Sequence, residues 1–270
     1  MKHSLFGDPD GRTIVYFHGT PGAIAEAEVI HEHAKRNGLR VICQDRFSLD
    51  ASIDGLSYFQ TLADDVARLA KGNQVDIIGF SIGAFVALQV YRLNCLSVRS
   101  LHLVSPAAPL NGGDFLKSMS GKQVFWLARE LPSVLKLLTA VQGLLAKHAP
   151  ALLFKMLFAS AAAGDKRLTD GDEFCELMGR IFVDCFGEHS AGYLREVQAY
   201  VSPWEASLKG IEVKTHLWHG DHDNWSPIAM SAYLEQQLPL CAPVHVLDGL
   251  SHYSSLYAAI PRICHLLSAK

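Results

Sequence analysis

The 270-residue chain has no Cys-x-x-Cys pair, no run of Lys or Arg, and no long unbroken apolar stretch. Each absence removes a class of protein. Its six cysteines, Cys43, Cys95, Cys175, Cys185, Cys241 and Cys264, are scattered, several inside apolar strand or helix patterns. They read as buried free thiols rather than as a disulfide framework, which fits a reducing compartment, and a cytoplasmic location is expected. With a formal net charge of −3 and a pI near 6.5, no basic face is offered to nucleic acid. The first residues, Met1 to Asp8, hold no apolar core of signal-peptide length. The greasiest region, Leu131 to Ala163, is interrupted by Lys136, Lys147, His148, Pro150 and Lys155, so no membrane span is expected. Internal repeats and low-complexity tracts are also missing.

What is present is a chain 49% hydrophobic and 19% charged, long enough to bury a full core. Short apolar runs alternate with helical patterns. Strands are expected at Thr13 to Phe17, Arg40 to Cys43, around Val75 to Ile78, Val98 to Val104, Val213 to Trp218 and Pro243 to Leu247. Helices are expected from Pro21-Gly22 to about Arg36, Leu56 to Ala70, Ala84 to Tyr91, Ile228 to Gln237 and Tyr253 to Leu267. Continuous apolar strands separated by helices indicate a parallel sheet covered on both faces. Such sheets place their ligands at the carboxyl edge of the strands.

The rhythm is broken once, from about Leu110 to Ser207. This interval is strand-poor, and Gly112-Gly113, Pro132, Pro150 and Gly164 divide it into four or five expected helices. An insertion between two strands of a parallel sheet emerges at the carboxyl edge, so it should sit there as a lid. Its Leu, Phe and Met clusters read first as packing between lid and core, and second as the wall of an apolar pocket.

Gly79-Phe80-Ser81-Ile82-Gly83 stands between the Val75 strand and the Ala84 helix. A serine at such a junction is pushed into the open by a tight turn, and the following helix aims its free N–H groups at the same point. Four further stretches reach the same edge. His18-Gly19-Thr20-Pro21-Gly22 can supply one oxyanion donor, assigned to the Thr20 N–H, with the Ile82 N–H as the other. Asp45-Arg46 reads as a loop buttress. In His219-Gly220-Asp221-His222-Asp223 a carboxylate can orient a histidine; Asp223, nearest the loop crest, is preferred to Asp221. Consecutive loop residues rarely converge on one ion, so no metal is expected there. His252, after the last expected strand, has the pKa range to take the Ser81 proton and return it.

These motifs, in this order, resemble the α/β-hydrolase superfamily of the lidded type, over Thr13 to Pro109 and Val213 to Leu267. The resemblance implies a mostly parallel sheet with helices on both faces. It implies a core of residues 1–109 and 208–270 and a helical cap, residues 110–207, inserted after the strand ending near Val104. It implies Ser81 as nucleophile, His252 as base, Asp223 as its orienter, Thr20 and Ile82 as oxyanion donors, and no cofactor. The expected activity is serine hydrolysis of a small or medium ester, thioester or related acyl compound. The same residues also suit carbon–carbon bond hydrolysis, acyl transfer or cofactor-free perhydrolysis, and relatives of the fold include non-enzymatic small-molecule receptors. Three departures stand out. The N-terminal edge is short, Phe47-Ser48-Leu49-Asp50 replaces a common Pro-Gly-x-Gly, and Ser251 precedes the histidine where Gly is common. Oligomeric state is not legible.

Overall fold

The computed structural model describes residues 1–268, so Ala269 and Lys270 of the expected core segment lie outside the described residues. Seven strands form one sheet: β1 (His3–Gly7), β2 (Arg12–Phe17), β3 (Leu39–Gln44), β4 (Val75–Phe80), β5 (Val98–Val104), β6 (Lys214–Gly220) and β7 (His245–Leu247). Their order is β1-β3-β2-β4-β5-β6-β7. Only β1 runs antiparallel, pairing with β3 from His3 opposite Gln44 to Gly7 opposite Arg40; every other pairing is parallel. The short N-terminal edge is therefore a single strand of five residues, which its mixed polar composition did not announce.

From β2 the chain winds outward to β3, then returns to place β4 on the other side of β2. The winding direction reverses between β2 and β4. At such a switch point the loops after the two strands diverge and leave a crevice at the carboxyl edge. Central strands explain the unbroken apolar runs: β4 is buried at every residue because both of its faces are covered. The covering helices include α1 (Glu28–Arg36), α2 (Gly55–Ala70) and α3 (Ile82–Tyr91). After β6 come α10 (Ala229–Gln237) and α11 (His252–Ser268). Helix α1 packs with α11, and α2 with α3. Helix α3 is buried from Ile82 through Val90, apolar all round as a helix inside a layer must be.

Strand β6 runs two residues past the expected end, so His219 and Gly220 belong to the strand rather than the loop. Strand β7 is shorter than expected and starts at His245, because Ala242-Pro243-Val244 cannot supply a full ladder with a proline among them.

Between β5 and β6 lie six α-helices, more than the four or five expected. They are α4 (Lys122–Glu130), α5 (Pro132–His148), α6 (Pro150–Leu157), α7 (Ala163–Thr169), α8 (Asp172–Phe182) and α9 (Ser190–Val201). Pro132 and Pro150 open α5 and α6, where a missing N–H is harmless. Gly164 lies inside α7 and breaks nothing. The boundary between α8 and α9 is a π-helical stretch, Val183–Glu188, which has no proline to mark it.

The insert is tied to the core by buried charge. Arg46, fully buried after β3, donates to both carboxylate oxygens of Glu196 on α9, at 2.7 and 2.8 Å, and to His18 O at 2.7 Å. Asp165 on α7 accepts the N–H groups of Tyr253 and Ser254, at 3.2 and 2.7 Å, in the first turn of α11.

Candidate active site

Ser81 occupies the one-residue turn from β4 into α3 with φ 56° and ψ −125°. A side chain other than glycine is strained there, and the strain persists because both flanking elements are locked in the core. Gly79 and Gly83 permit the close passage. A Cβ on Gly83 would collide with the carbonyl oxygens of Phe17 and His18, and one on Gly79 would meet the Ala84 backbone at 2.7 Å. The Ser81 backbone is held at both ends: its N–H donates to Val104 O at 3.0 Å, and its carbonyl accepts from Ala84 and Ala107. Its hydroxyl has no hydrogen-bond partner among the described residues, and Ser81 lines a cavity of about 440 Å³.

Thr20 and Ile82 line the same cavity. Ile82 is the first residue of α3, where an N–H has no intrahelical acceptor. The Thr20 loop is fixed on both sides. Gly19 N–H donates to Glu26 Oε1 at 2.8 Å, and the Thr20 hydroxyl donates to Glu196 Oε1 at 2.5 Å.

His252 is the first residue of α11, and Asp223 lies just past β6; both side chains are buried. Asp223 Oδ2 lies 2.8 Å from His252 Nδ1. Because a carboxylate only accepts, Nδ1 carries the proton and Nε2 of the neutral ring is left as the basic atom. Asp223 Oδ1 accepts the N–H groups of Trp225 and Ser226, each at 2.9 Å, which fixes the carboxylate plane. Asp221, by contrast, bonds His222 and the Gly249 N–H at the surface. His219 is buried and bonds Ser226 O at 2.6 Å and Ser231 Oγ at 2.7 Å; its Nε2 also approaches Asp223 at 3.4 Å.

Burial alone would push the His252 imidazole down. The Asp223 carboxylate, helped by Asp165 and Glu26, outweighs it and holds the ring above its ordinary value. Burial would likewise raise Asp223, but His252 and His219 hold it well below the usual carboxylate range.

The His252 ring has aromatic neighbours. Phe80, the neighbour of Ser81, lies at 4.8 Å on centroids, and Trp225 stacks at 5.7 Å and 12°. Trp225 is also part of the cavity wall beside Ser81. Phe80 and Trp225 thus link the imidazole to Ser81 and to the cavity wall, and no hydrogen bond joins Ser81 to His252.

Three contributors went unread in the sequence: Glu26, Asp165 and Glu196. Glu26 stands alone in the small apolar run Ala23-Ile24-Ala25-Glu26-Ala27, and that isolation was its only signal. It accepts from Tyr16 OH at 2.7 Å as well as from Gly19, and burial pushes its carboxyl up to about 7 against both hydrogen bonds.

Most of the cavity wall comes from the insert, including Met119, Phe125, Leu138, Met156 and Tyr193, and no charged side chain lines it. Gln142 on α5 is buried there with its Oε1 unpartnered. One group of metal-ligand type occurs among the described residues: Asp45, Asp184 and His189 bring donor atoms within 4.8 Å of one another. It lies outside the cavity wall, and His189 and Asp184 already bond each other at 2.9 Å.

A mostly parallel sheet with a strained strand-to-helix serine at its switch point, beside a buried His–Asp pair, defines an α/β-hydrolase architecture. The model of the alpha/beta hydrolase family matches residues 14–259, and the chain belongs to that family. Solved structures agree in fold. A bromoperoxidase from Bacillus anthracis is 18% identical with a TM-score of 0.68, the match covering 98% of this chain and 93% of that one. The enol-lactonase from Burkholderia xenovorans LB400 is 14% identical with a TM-score of 0.69, covering 98% and 94%. An esterase from Exiguobacterium antarcticum is 18% identical with a TM-score of 0.65, covering 99% and 95%. No curated protein matches the chain in sequence.

Proposed function

We propose that the chain is a serine hydrolase that cleaves an uncharged carboxylic ester, thioester or related acyl compound of small or medium size. The observation that carries this reading is the strained Ser81 opening into a cavity whose wall, Trp225, stacks on the His252–Asp223 pair. In the proposed reaction His252 Nε2 takes the Ser81 proton as Oγ attacks the carbonyl carbon. Asp223 stabilises the imidazolium, and the N–H groups of Thr20 and Ile82 hold the oxyanion. One such donor is typically worth about 2.7–4 kcal/mol in the transition state. The imidazolium then protonates the departing alkoxide or thiolate, leaving an acyl-serine. Water, deprotonated by the same imidazole, attacks that ester, and Ser81 recovers its proton as the acid leaves.

The insert, taken as residues 110–207, acts in this reading as a cap over a core of residues 1–109 and 208–270. Its apolar, charge-free wall supports a neutral acyl group, since an unpaired charge buried there would lose its hydration without compensation. Six free thiols, three of them buried, support a cytoplasmic setting. No helix among the described residues is long and apolar enough to cross a membrane.

Ser81→Ala tests the proposal. Hydrolysis of an activated short-chain aryl ester should disappear, as should fluorophosphonate labelling, with circular dichroism and Tm retained. Turnover equal to wild type would remove Ser81 from the mechanism. Product analysis with alcohol and peroxide as acceptors separates hydrolysis from acyl transfer and perhydrolysis.

A further inference from the structure

Of the fourteen large hydrophobic side chains exposed among the described residues, nine fall between Trp126 and Met156. Helix α5 is the reason. Val134, Leu137, Leu138, Val141 and Leu144 recur at helical spacing over an arc of about 120°. All five are exposed, from 36% for Leu138 to 66% for Leu137. The opposite arc, with Leu135, Thr139, Gln142 and Ala146, is buried. The inner face of α5 thus packs inside the insert, while an equally apolar outer face packs against nothing. Trp126 on α4 and Leu152 and Met156 on α6 add exposed apolar side chains on the helices that precede and follow α5 in the chain, both of which pack against it. A contiguous patch of this kind on a water-facing surface marks an interaction site.

Lys122, Arg129, Lys136, Lys147 and Lys155 against the single Glu130 give the α4–α6 segment, residues 122–157, a formal charge of +4 in a chain whose total is −3, with Glu176, Asp184 and Glu188 sharing a groove with Lys147 at the far end of α5. All five cations are exposed. On the helical wheel Lys147 and Lys136 lie about 60–80° beyond one edge of the α5 stripe, past Ser133 and Ala140, and only their long side chains can extend back toward headgroups.

We propose that this face docks on an anionic lipid surface, with α5 lying in the plane of the interface. An apolar arc with lysines beyond its edge is what attracts a helix to an anionic headgroup layer. The inner face of α5 stays packed inside the insert and the helix carries Lys136 and Lys147, so it can only lie along a bilayer. A second copy of this chain is the weaker occupant: two-fold pairing would press one +4 segment against another. Leu138 and Met156 belong both to the patch and to the cavity wall, so docking turns the cavity mouth toward the lipid. Vesicle binding itself requires no hydrolysis, so it stands or falls apart from the proposed reaction.

The test is co-sedimentation of the full chain with vesicles of phosphatidylcholine alone and of phosphatidylcholine mixed with phosphatidylglycerol. Wild type should partition onto the mixed vesicles and lose most of that binding in high salt. Leu137→Glu and Leu144→Glu should each weaken partitioning by about tenfold or more, since each removes a leucine from the contact and adds a repelled charge. A Lys136→Glu, Lys147→Glu double variant should weaken it and flatten the salt dependence. These positions are exposed, so circular dichroism and Tm should be unchanged, and Ser81→Ala should bind as wild type does. Absence of wild-type binding to mixed vesicles would overturn the proposal, as would unchanged binding by Leu137→Glu. A dimer in analytical ultracentrifugation that Leu137→Glu dissociates would also overturn it, giving the face to a second copy.

Discussion

Replacing Glu196 by alanine removes the single group that joins the insert, the Arg46 buttress and the Thr20 loop. The carboxylate is fully buried and accepts four hydrogen bonds: Thr20 Oγ1 at 2.5 Å, Arg46 Nε at 2.7 Å, and Arg46 Nη2 and Tyr58 OH at 2.8 Å each. Without it the Arg46 guanidinium keeps only the carbonyls of His18 and Gly19, and its Nη1 already lacks a partner. Stranding a buried charge in this way typically costs about 3–5 kcal/mol. At about 2–3 °C per kcal/mol for a chain of this size, Tm should fall by about 6–15 °C. Equilibrium denaturation in urea and calorimetry would measure it. An Arg46→Met, Glu196→Leu double variant should recover much of the loss, because the penalty lies in the unpaired charge more than in the missing pair. The active-site consequence is separate. With its hydroxyl anchor gone, the Thr20 loop loosens, and kcat on a short ester should fall by more than KM rises. A Glu196→Ala protein within about 1 kcal/mol of wild type would refute the reasoning, since no buried ion pair of this geometry could then be bearing load.

Asp223→Asn should lower kcat at neutral pH by about 10⁴-fold, the scale seen when a serine-hydrolase imidazole loses its carboxylate. Wild-type kcat/KM should fall as pH drops through the His252 pKa, which Asp223 holds above the ordinary histidine value, and in Asp223→Asn that inflection should move to lower pH; an unmoved inflection would break the link. Glu26→Gln should change how stability depends on pH. The Glu26 carboxyl is pushed up to about 7 from 4.5. Between those values the folded state therefore holds a proton the unfolded state has released. Stability should decline as pH rises through that window, by up to about 3 kcal/mol, and Glu26→Gln should flatten the decline. Parallel wild-type and variant curves from pH 4.5 to 8 would refute it.

The strands of the core were legible to within a residue or two where both faces are buried, as in β3 and β5, because continuous apolar runs leave little ambiguity there. The N-terminal strand β1 was not legible. At a sheet edge, pairing with β3 supplies the structure and side-chain pattern contributes little. In the insert, the prolines opening α5 and α6 marked their starts, whereas the π-helical join before α9 carries no such residue. The stretches bearing Thr20, Ser81, Asp223 and His252 were visible because each follows a strand and interrupts an apolar run with small or polar residues. Glu196 and Asp165 were invisible for a different reason. Their partners lie 176 residues away at Thr20 and 89 away at Ser254, and no local pattern encodes such a pairing.

The amino-acid order alone determined the alternation of strand and helix, the helical interruption before β6 and the short motifs that end the strands. Those are local properties, set by hydrophobic period and backbone preference over windows of a few residues. Folding in three dimensions decided the rest: which carboxylate reaches His252, that Arg46 is anchored from α9, that a charge-free cavity opens beside Ser81, and that the outer side of α5 is left bare. Each of these depends on distant segments displacing water from one another. That outcome is settled by how the whole chain packs, since the period that marks an apolar helix face is the same whether the face ends up buried or exposed.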